Sequence, residues 1–366
     1  MQYEKIIHII DNLKLGGAEI LLLSTIKRLP QFEHHIVTLD SRIQIVGIEG
    51  YAKIHCLRHT GWLTTYKTCQ KLKKLISVLD PAVIHTHLFL SSFLARLALG
   101  SKYNLLYSVH TVYGAAIFRK RHLRLMEKWI YSPKHQLIAV SKYVLEDYKK
   151  VVTKCKNGHV LYNFIEDGFF KRIPFHKTTP PELLNKWVAV GSLKDVKNYE
   201  LICSLFQSFY NLSTQKEKVS LDIYGDGPLK RKLEERIKHL GVPIYLKGNI
   251  KNLEAKLHYY DAYISASQYE GYGIAPMEAL AIGLPVFLSN IPVYKEIYGD
   301  YAFFFNLQHN EAESFIGACQ SYLSLPMDKK EVLLSKSQAY AAEVANGEAY
   351  IRKLLQLYRL KESQRN

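Results

Sequence analysis

The chain has 366 residues, 48% hydrophobic and 22% charged. That excludes a fibre and a largely disordered chain, and suits two compact domains. With 49 Lys+Arg against 33 Asp+Glu the formal net charge is +16, which points to an anionic partner: nucleic acid, a phosphate-bearing substrate or an acidic membrane surface. The excess is uneven, with 24 Lys/Arg against 12 Asp/Glu in residues 1–170 and 25 against 21 in the remainder.

The first half alternates short apolar runs with helix-length amphipathic stretches. Strands are predicted over Lys5–Ile10, His34–Leu39, Lys53–Leu57, Ala82–His87, Asn104–His110, Gln136–Val140 and His159–Tyr162. Helices are predicted over Ala18–Leu29, Thr65–Leu79, Leu90–Leu99, Arg119–Tyr131 and Lys142–Lys149. Such alternation means a parallel sheet covered on both faces. Residues 171–186, with Pro174, Pro180 and Pro181, read as a linker. The alternation then restarts: strand Trp187–Val190, helix Tyr199–Asn211, strand Val219–Tyr224, helix Leu229–Leu240, strand Ile244–Leu246, helix Leu253–Tyr259, strand Ala262–Ser265, helix Pro276–Ile282, strand Pro285–Leu288. The tail from Glu331 to Leu360 reads as helix interrupted at Gly347. This predicts an α/β protein of two doubly wound domains, 1–170 and 187–345. A C-terminal helix at about 346–366 packs back on the first domain, and a cleft lies between the two. Ligands in such sheets sit outside the carboxyl ends of the strands.

Five cysteines (Cys56, Cys69, Cys155, Cys203, Cys319) form no CxxC pair, so they read as reduced thiols rather than a disulfide framework or zinc site. The apolar run Ile6–Ile10 is too short for a signal-peptide core. Leu88–Leu99 carries Arg96 and cannot span about 30 Å of hydrocarbon. The expected location is cytoplasmic, peripheral on the inner face of the cytoplasmic membrane at most.

Several strand-to-helix loops could hold an anion. Gly16-Gly17-Ala18-Glu19 follows the first strand and lets backbone N–H groups approach a ligand at a helix N-terminus. It is neither a Walker loop nor a GxGxxG fingerprint. In the second half, Val190–Asn198 offers Lys194 and Lys197, and Tyr224-Gly225-Asp226-Gly227-Pro228 is another glycine turn, with Pro228 near the first helical position. The richest segment is Glu270-Gly271-Tyr272-Gly273-Ile274-Ala275-Pro276-Met277-Glu278. Its glycines free the backbone, and Pro276 at the first helical position would put Glu278 in the first turn. A loop and a helix start separate the two carboxylates, so a glycosidase-like acid/base pair is not implied. His85 and His87 alternate at one strand end and His110 lies at another. No HExxH and no Asp-x-Asp occurs, so no metal is expected, and lysine with helix N-termini would neutralise a diphosphate.

The order of these motifs resembles the family-4 retaining glycosyltransferases, built on the two-Rossmann GT-B fold, over nearly the whole chain. Gly16–Glu19 is similar to the family's GGAE loop, Val83-Ile84-His85-Thr86-His87 to its "vvHtH" strand and Ala139-Val140-Ser141 to its "avS". Tyr162-Asn163-Phe164-Ile165-Glu166 is similar to its interdomain motif, and Glu270 to Glu278, running on to Val286, to its E-x7-E segment. The resemblance implies a UDP- or GDP-linked sugar donor held mainly by the second domain. Lys197 and the backbone at Gly16 and Gly17 would meet the diphosphate, and Glu278 the ribose. Glu270 and the backbone of Gly271, Tyr272, Gly273 and Ile274 would meet the transferred sugar. His110 would sit near the anomeric centre, and Gly248, Asn249 and Ile250 beside the base. The catalytic set would be Glu270, His110 and Lys197. One departure stands out: Ser192 occupies the position where the family has an arginine, which leaves more of the diphosphate charge to Lys197.

For the acceptor, a glycan that is lipid-linked is the expectation. The basic segment Phe118–Ile130 supplies Arg119, Lys120, Arg121, Arg124, Lys128 and Trp129. It reads either as a face lying on an anionic membrane or as a surface helix whose apolar side packs on the sheet. Competing readings are a non-catalytic nucleotide-sugar-binding subunit, a phosphorylase or epimerase of the same fold, and a basic nucleic-acid binder. The last lacks zinc-finger spacing, an RRM signature and a basic heptad helix, so no nucleic-acid partner is expected.

Overall fold

The computed structural model describes residues 4–14, 16–45, 47–117, 119–153, 155–171, 181–250 and 252–359. Phe118 and residues 172–180 of the expected linker lie outside the described residues. The chain divides into two compact units, residues 1–164 with 347–366, and residues 165–346.

The first unit runs β1 (Lys5–Ile10), α1 (Gly17–Lys27), β2 (Glu33–Thr38), β3 (Lys53–Cys56), α2 (Thr65–Leu79), β4 (Val83–His87), α3 (Phe89–Leu99), β5 (Leu105–Val109), α4 (Tyr113–Ala116), α5 (Arg121–Ile130), β6 (Gln136–Ala139), α6 (Lys142–Val151) and β7 (Gly158–Val160). Its sheet has seven parallel strands in the order β3-β2-β1-β4-β5-β6-β7. β1, β4 and β5 are buried nearly end to end, as strands covered on both faces must be.

The second unit runs β8 (Lys186–Val190), α7 (Tyr199–Leu212), β9 (Ser220–Tyr224), α8 (Lys230–Leu240), β10 (Ile244–Gly248), α9 (Leu253–Leu257), β11 (Ala262–Ser265), α10 (Ile274–Ala281), β12 (Val286–Ser289), α11 (Pro292–Tyr298), β13 (Ala302–Phe305), α12 (Glu311–Leu323) and α13 (Met327–Val344). Its six parallel strands follow the order β10-β9-β8-β11-β12-β13. Trp187, Phe206, Phe287, Phe305, Phe315 and Tyr322 fill its core.

The final helix, α14 (Gly347–Tyr358), belongs to the first unit. There Tyr350, Leu354, Leu355 and Tyr358 pack with Ile6, Val83 and Leu106. The other tail helix, α13, stays with the second unit, against α10. All five cysteines are free, and only Cys56 is exposed. Among the described residues no helix is long and apolar enough to cross a membrane.

Two sequence expectations are corrected. α10 begins at Ile274, not Pro276, because Gly273 at φ +87° turns the chain into the helix. Pro276 is tolerated in the first turn, where backbone N–H groups have no intrahelical partner. Glu278 therefore lies beyond the first turn, and its role is not to complement the helix dipole. Likewise α8 starts at Lys230, so Pro228 belongs to the preceding turn.

Candidate functional site

In each sheet the strand order reverses once, between β1 and β4 in the first unit and between β8 and β11 in the second. Loops leaving the carboxyl ends of those strands diverge to opposite sides and open a crevice. The Gly16–Glu19 loop follows β1 and His85 and His87 lie on β4, while the Val190–Asn198 loop follows β8 and the Glu270–Glu278 segment follows β11.

In the second unit the loop after β8 carries Lys197 in a short 3-10 turn, Asp195–Lys197. The loop after β11 carries Glu270. Gln268 N–H donates to Val196 C=O (2.8 Å) and ties the two loops together. Lys197 Nζ donates to Glu270 Oε1. The same oxygen accepts from Ser267 Oγ (2.8 Å) and Tyr294 Oη (3.4 Å). Ser265 Oγ bonds Tyr294 Oη at 2.9 Å, and Ser289 Oγ donates to the Ser267 carbonyl at 2.7 Å. Glu270 is thus held in one orientation by three donors on one oxygen, with Oε2 outside that network. Its side chain keeps 14% exposure and that of Lys197 25%, so both remain open to a ligand.

Ser192 and Lys194 lie on the same loop, and Lys194 is exposed. The Lys197–Glu270 ion pair is the contact that brings a lysine of this loop onto a predicted site carboxylate. Sequence reasoning missed Ser267 and Tyr294. The signal for Ser267 was its place three residues before Glu270. Tyr294 reaches the site from α11, which carries no recognisable motif.

The neighbouring turns are laced by their backbones. Gly191 N–H donates to Tyr224 C=O (2.9 Å), Leu193 N–H to Asp226 C=O (2.9 Å), and Gly225 N–H to Gly248 C=O (2.8 Å). A Cβ at Gly225, where φ is +142°, would fall 1.9 Å from the Gly191 carbonyl oxygen. This glycine permits loop-on-loop packing, not the close ligand approach that the sequence suggests. Gly273 serves α10 in the same way. Its Cβ would meet Tyr294 Cε1 at 2.7 Å, and its carbonyl accepts from Tyr298 Oη. Gly271 and Tyr272 are buried and Ile274 half-buried, while Gly248 and Ile250 are half-buried and Asn249 is exposed.

Glu278 is half-buried on α10. Burial, with the negative charges of Glu254 and Glu166, pushes its carboxyl up to about 8. Burial and the two neighbouring carboxylates favour the protonated form of Glu278 at neutral pH.

In the first unit Gly16 caps α1 in an extended conformation and Gly17 opens the helix. A Cβ at Gly16 would fall 2.5 Å from Glu19 Oε2, so the chain's own carboxylate already lies against this helix N-terminus. Across the crevice Asp11 Oδ1 accepts from Ser91 N–H at 2.9 Å, and burial raises the Asp11 carboxyl. His110 lies just past β5, its Nε2 3.3 Å from His87 Nδ1. Burial lowers its imidazole to about 4, so it is neutral and not a general acid at neutral pH. His8, His85 and His87 bring ligand-type nitrogens within 4.8 Å of one another. His8 was not legible as a partner, because it sits mid-strand in an apolar run.

On α5, Leu125 is 58% and Trp129 74% exposed. Leu123, Met126 and Ile130 of the same helix are half-buried, so its apolar residues divide between a packed side and a solvent side. The one buried residue of α5 is Glu127, which holds Arg96 bidentately at 2.7 and 2.8 Å.

The family model for Glycosyl transferases group 1 matches residues 171–364, and that for Glycosyltransferase Family 4 matches residues 15–169. The chain belongs to the group 1 glycosyl transferases. This glycosyltransferase is similar to the alpha-monoglucosyldiacylglycerol synthase of Streptococcus pneumoniae, 27% identical over 55% of the chain and 46% of that protein. It is also similar to the O-antigen biosynthesis glycosyltransferase WclY of Escherichia coli, 24% identical over 50% of each. The chain spans half or less of the length of the first curated relatives it matches. In fold it matches Anabaena Alr3699/HepE, solved with UDP and glucose, at a TM-score of 0.79 and 14% identity, covering 97% of this chain and 99% of that one. The architecture is the GT-B fold.

Proposed function

We propose that this glycosyltransferase moves a sugar, with retention of anomeric configuration, from a UDP- or GDP-linked donor to a hydroxyl of a glycan acceptor. The acceptor we assign is lipid-linked, in cell-surface polysaccharide assembly on the cytoplasmic side of the membrane. The names of the relatives, a glycolipid synthase and an O-antigen enzyme, support the pathway class. The observation that carries the reading is the Lys197–Glu270 pair at the strand-order reversal of the second unit.

In this reading the donor diphosphate takes Lys197, and the transferred sugar takes Glu270. Breaking the anomeric C–O bond leaves negative charge on the diphosphate and positive charge on the sugar ring. Lys197 stabilises the first, and the fixed Glu270 carboxylate lies near the second. Both interactions strengthen as charge develops, which is the condition for lowering the barrier. A neutral Glu278 can donate to, and accept from, ribose hydroxyls without repelling the diphosphate. Neutral His110 serves the sugar as a hydrogen-bonding group. The acceptor hydroxyl attacks from the leaving-group face and the departing phosphate oxygen takes its proton, so no protein nucleophile is required. No metal enters the scheme.

A thermal-shift screen of UDP- and GDP-sugars, run with and without EDTA, tests the donor assignment. A ligand that binds only the folded state raises the apparent Tm. Stabilisation by one nucleotide class, insensitive to EDTA, is expected. Product analysis by NMR then reads the anomeric configuration. Stabilisation only with added divalent cation would overturn the metal-free scheme.

A further inference from the structure

Four histidines form one hydrogen-bonded line across adjacent strands. His34 lies on β2, His8 on β1, His87 on β4, and His110 just after β5, following the sheet order β2-β1-β4-β5. His34 Nε2 lies 2.8 Å from the Leu29 carbonyl oxygen. His34 Nδ1 lies 3.3 Å from His8 Nε2. His8 Nδ1 lies 3.5 Å from His87 Nε2, the longest link. His87 Nδ1 lies 3.3 Å from His110 Nε2.

The Leu29 carbonyl can only accept, so His34 Nε2 carries a proton. A neutral imidazole has one donor and one acceptor nitrogen, so His34 Nδ1 accepts from His8 Nε2–H. The same step repeats through His8 and His87. It ends at His110 with the proton on Nε2 and a bare lone pair on Nδ1. Burial favours the neutral form at every link. His85 is different: it meets two hydroxyls, Tyr358 Oη and Ser108 Oγ, each at 2.7 Å. Hydroxyls both donate and accept, so nothing sets its tautomer.

We propose that His34, His8 and His87 are positioning residues, a tautomer relay anchored on the Leu29 carbonyl that presents His110 Nδ1 as a fixed hydrogen-bond acceptor. The functional part rests on the reading that His110 serves the transferred sugar. The group it would take is then a sugar hydroxyl that donates. A divalent cation among His8, His85 and His87 is the rival use of the same nitrogens. No carboxylate is among those three ligands to offset its charge, and His85 has both nitrogens engaged.

The test is long-range ¹H–¹⁵N NMR of the histidine side chains in the full chain at pH 7. All four relay histidines are expected to be neutral with the proton on Nε2. His8→Gln keeps one donor and one acceptor, whereas His8→Leu breaks the line. His8→Leu should leave His110 a mixture of tautomers and lower kcat at least fivefold, with donor KM changed less than twofold. His8→Gln should restore most of both. A proton on Nδ1 of any of the four in the wild type would overturn the relay, as would an unchanged His110 tautomer in His8→Leu. Stoichiometric zinc in the purified protein would overturn it too. If His8→Leu does not fold, the wild-type spectrum still decides. That spectrum needs no turnover, so failure of the glycosyltransfer reading would leave the relay standing or falling separately.

Discussion

Lys197 Nζ and Glu270 Oε1 are in direct contact, so the cation assigned to the diphosphate and the carboxylate assigned to the sugar hold one another before any donor arrives. On that assignment, an arriving diphosphate would compete with Glu270 for the lysine. Lys197→Ala should lower kcat/KM more than tenfold, about 1.4 kcal/mol or more of transition-state stabilisation. Glu270→Gln should cost a similar factor. The double variant should cost less than the sum, because residues that act as a unit are not additive. Full additivity in that cycle, or near wild-type turnover of Lys197→Ala, would contradict the assignment.

Glu278 gives a pH signature. Its carboxyl is raised from 4.5 to about 8 in the folded chain. Between those values the native state binds the proton and the unfolded state does not, so the contribution of this group to stability falls as pH rises through that window. Glu278→Gln removes the titration and keeps the neutral shape. It should retain donor affinity within about threefold at pH 7 (about 0.65 kcal/mol) and flatten the loss of stability between pH 5 and 8. Titration calorimetry and urea unfolding across that range check both. A large loss of affinity in Glu278→Gln at pH 7 would show that the ionised form binds.

The buried histidines act in the opposite direction. His8, His34, His87 and His110 are all lowered by burial. Below the ordinary value of 6.5 the unfolded chain takes up protons that the native chain refuses, so stability should fall as pH drops from about 6.5 towards 4. Replacing His34 with Gln should reduce the steepness of that fall in an acid-unfolding series.

Arg96 and Glu127 form a fully buried bidentate pair. Tyr148 Oη also donates to Glu127 at 2.5 Å, and Arg96 lies 4.4 Å from the centre of the Tyr107 ring. Removing one partner strands a charge in the interior, so Glu127→Gln should destabilise the chain by about 3 kcal/mol. Arg96→Met with Glu127→Leu should cost less than either single change. Chemical denaturation of the three variants decides this.

Because Leu125 and Trp129 face solvent beside Arg121, Arg124 and Lys128, α5 presents an amphipathic basic surface. Binding to anionic liposomes should fall as salt rises and the Debye length shrinks from about 8 Å at 0.15 M to about 3 Å at 1 M. Changing the three cations to Gln should abolish it. Equal binding to neutral liposomes at high salt would remove the membrane assignment.

Much of the molecule is legible along the chain. Strand–helix alternation dictates two parallel sheets, since a run buried on both faces reads as continuous Ile, Leu and Val. The tight spacing from Glu270 to Glu278 dictates a loop and helix start between two carboxylates. These features are local, a few residues long, and need no knowledge of what packs nearby. Contacts between distant segments are not local. Tyr294 locks Glu270 from 24 positions away, and α11 carries no pattern that announces it. His8 joins His87 across 79 residues only because β1 and β4 are neighbours in register. Glu127 is buried on a helix that exposes Leu125 and Trp129, because Arg96 is there to meet it. The sequence by itself determined the architecture and singled out the residues proposed for the site, because periodicity and turn chemistry are short-range. Strand order decided which of them touch and which are buried, because burial and hydrogen bonding depend on what folding brings within about 3 Å.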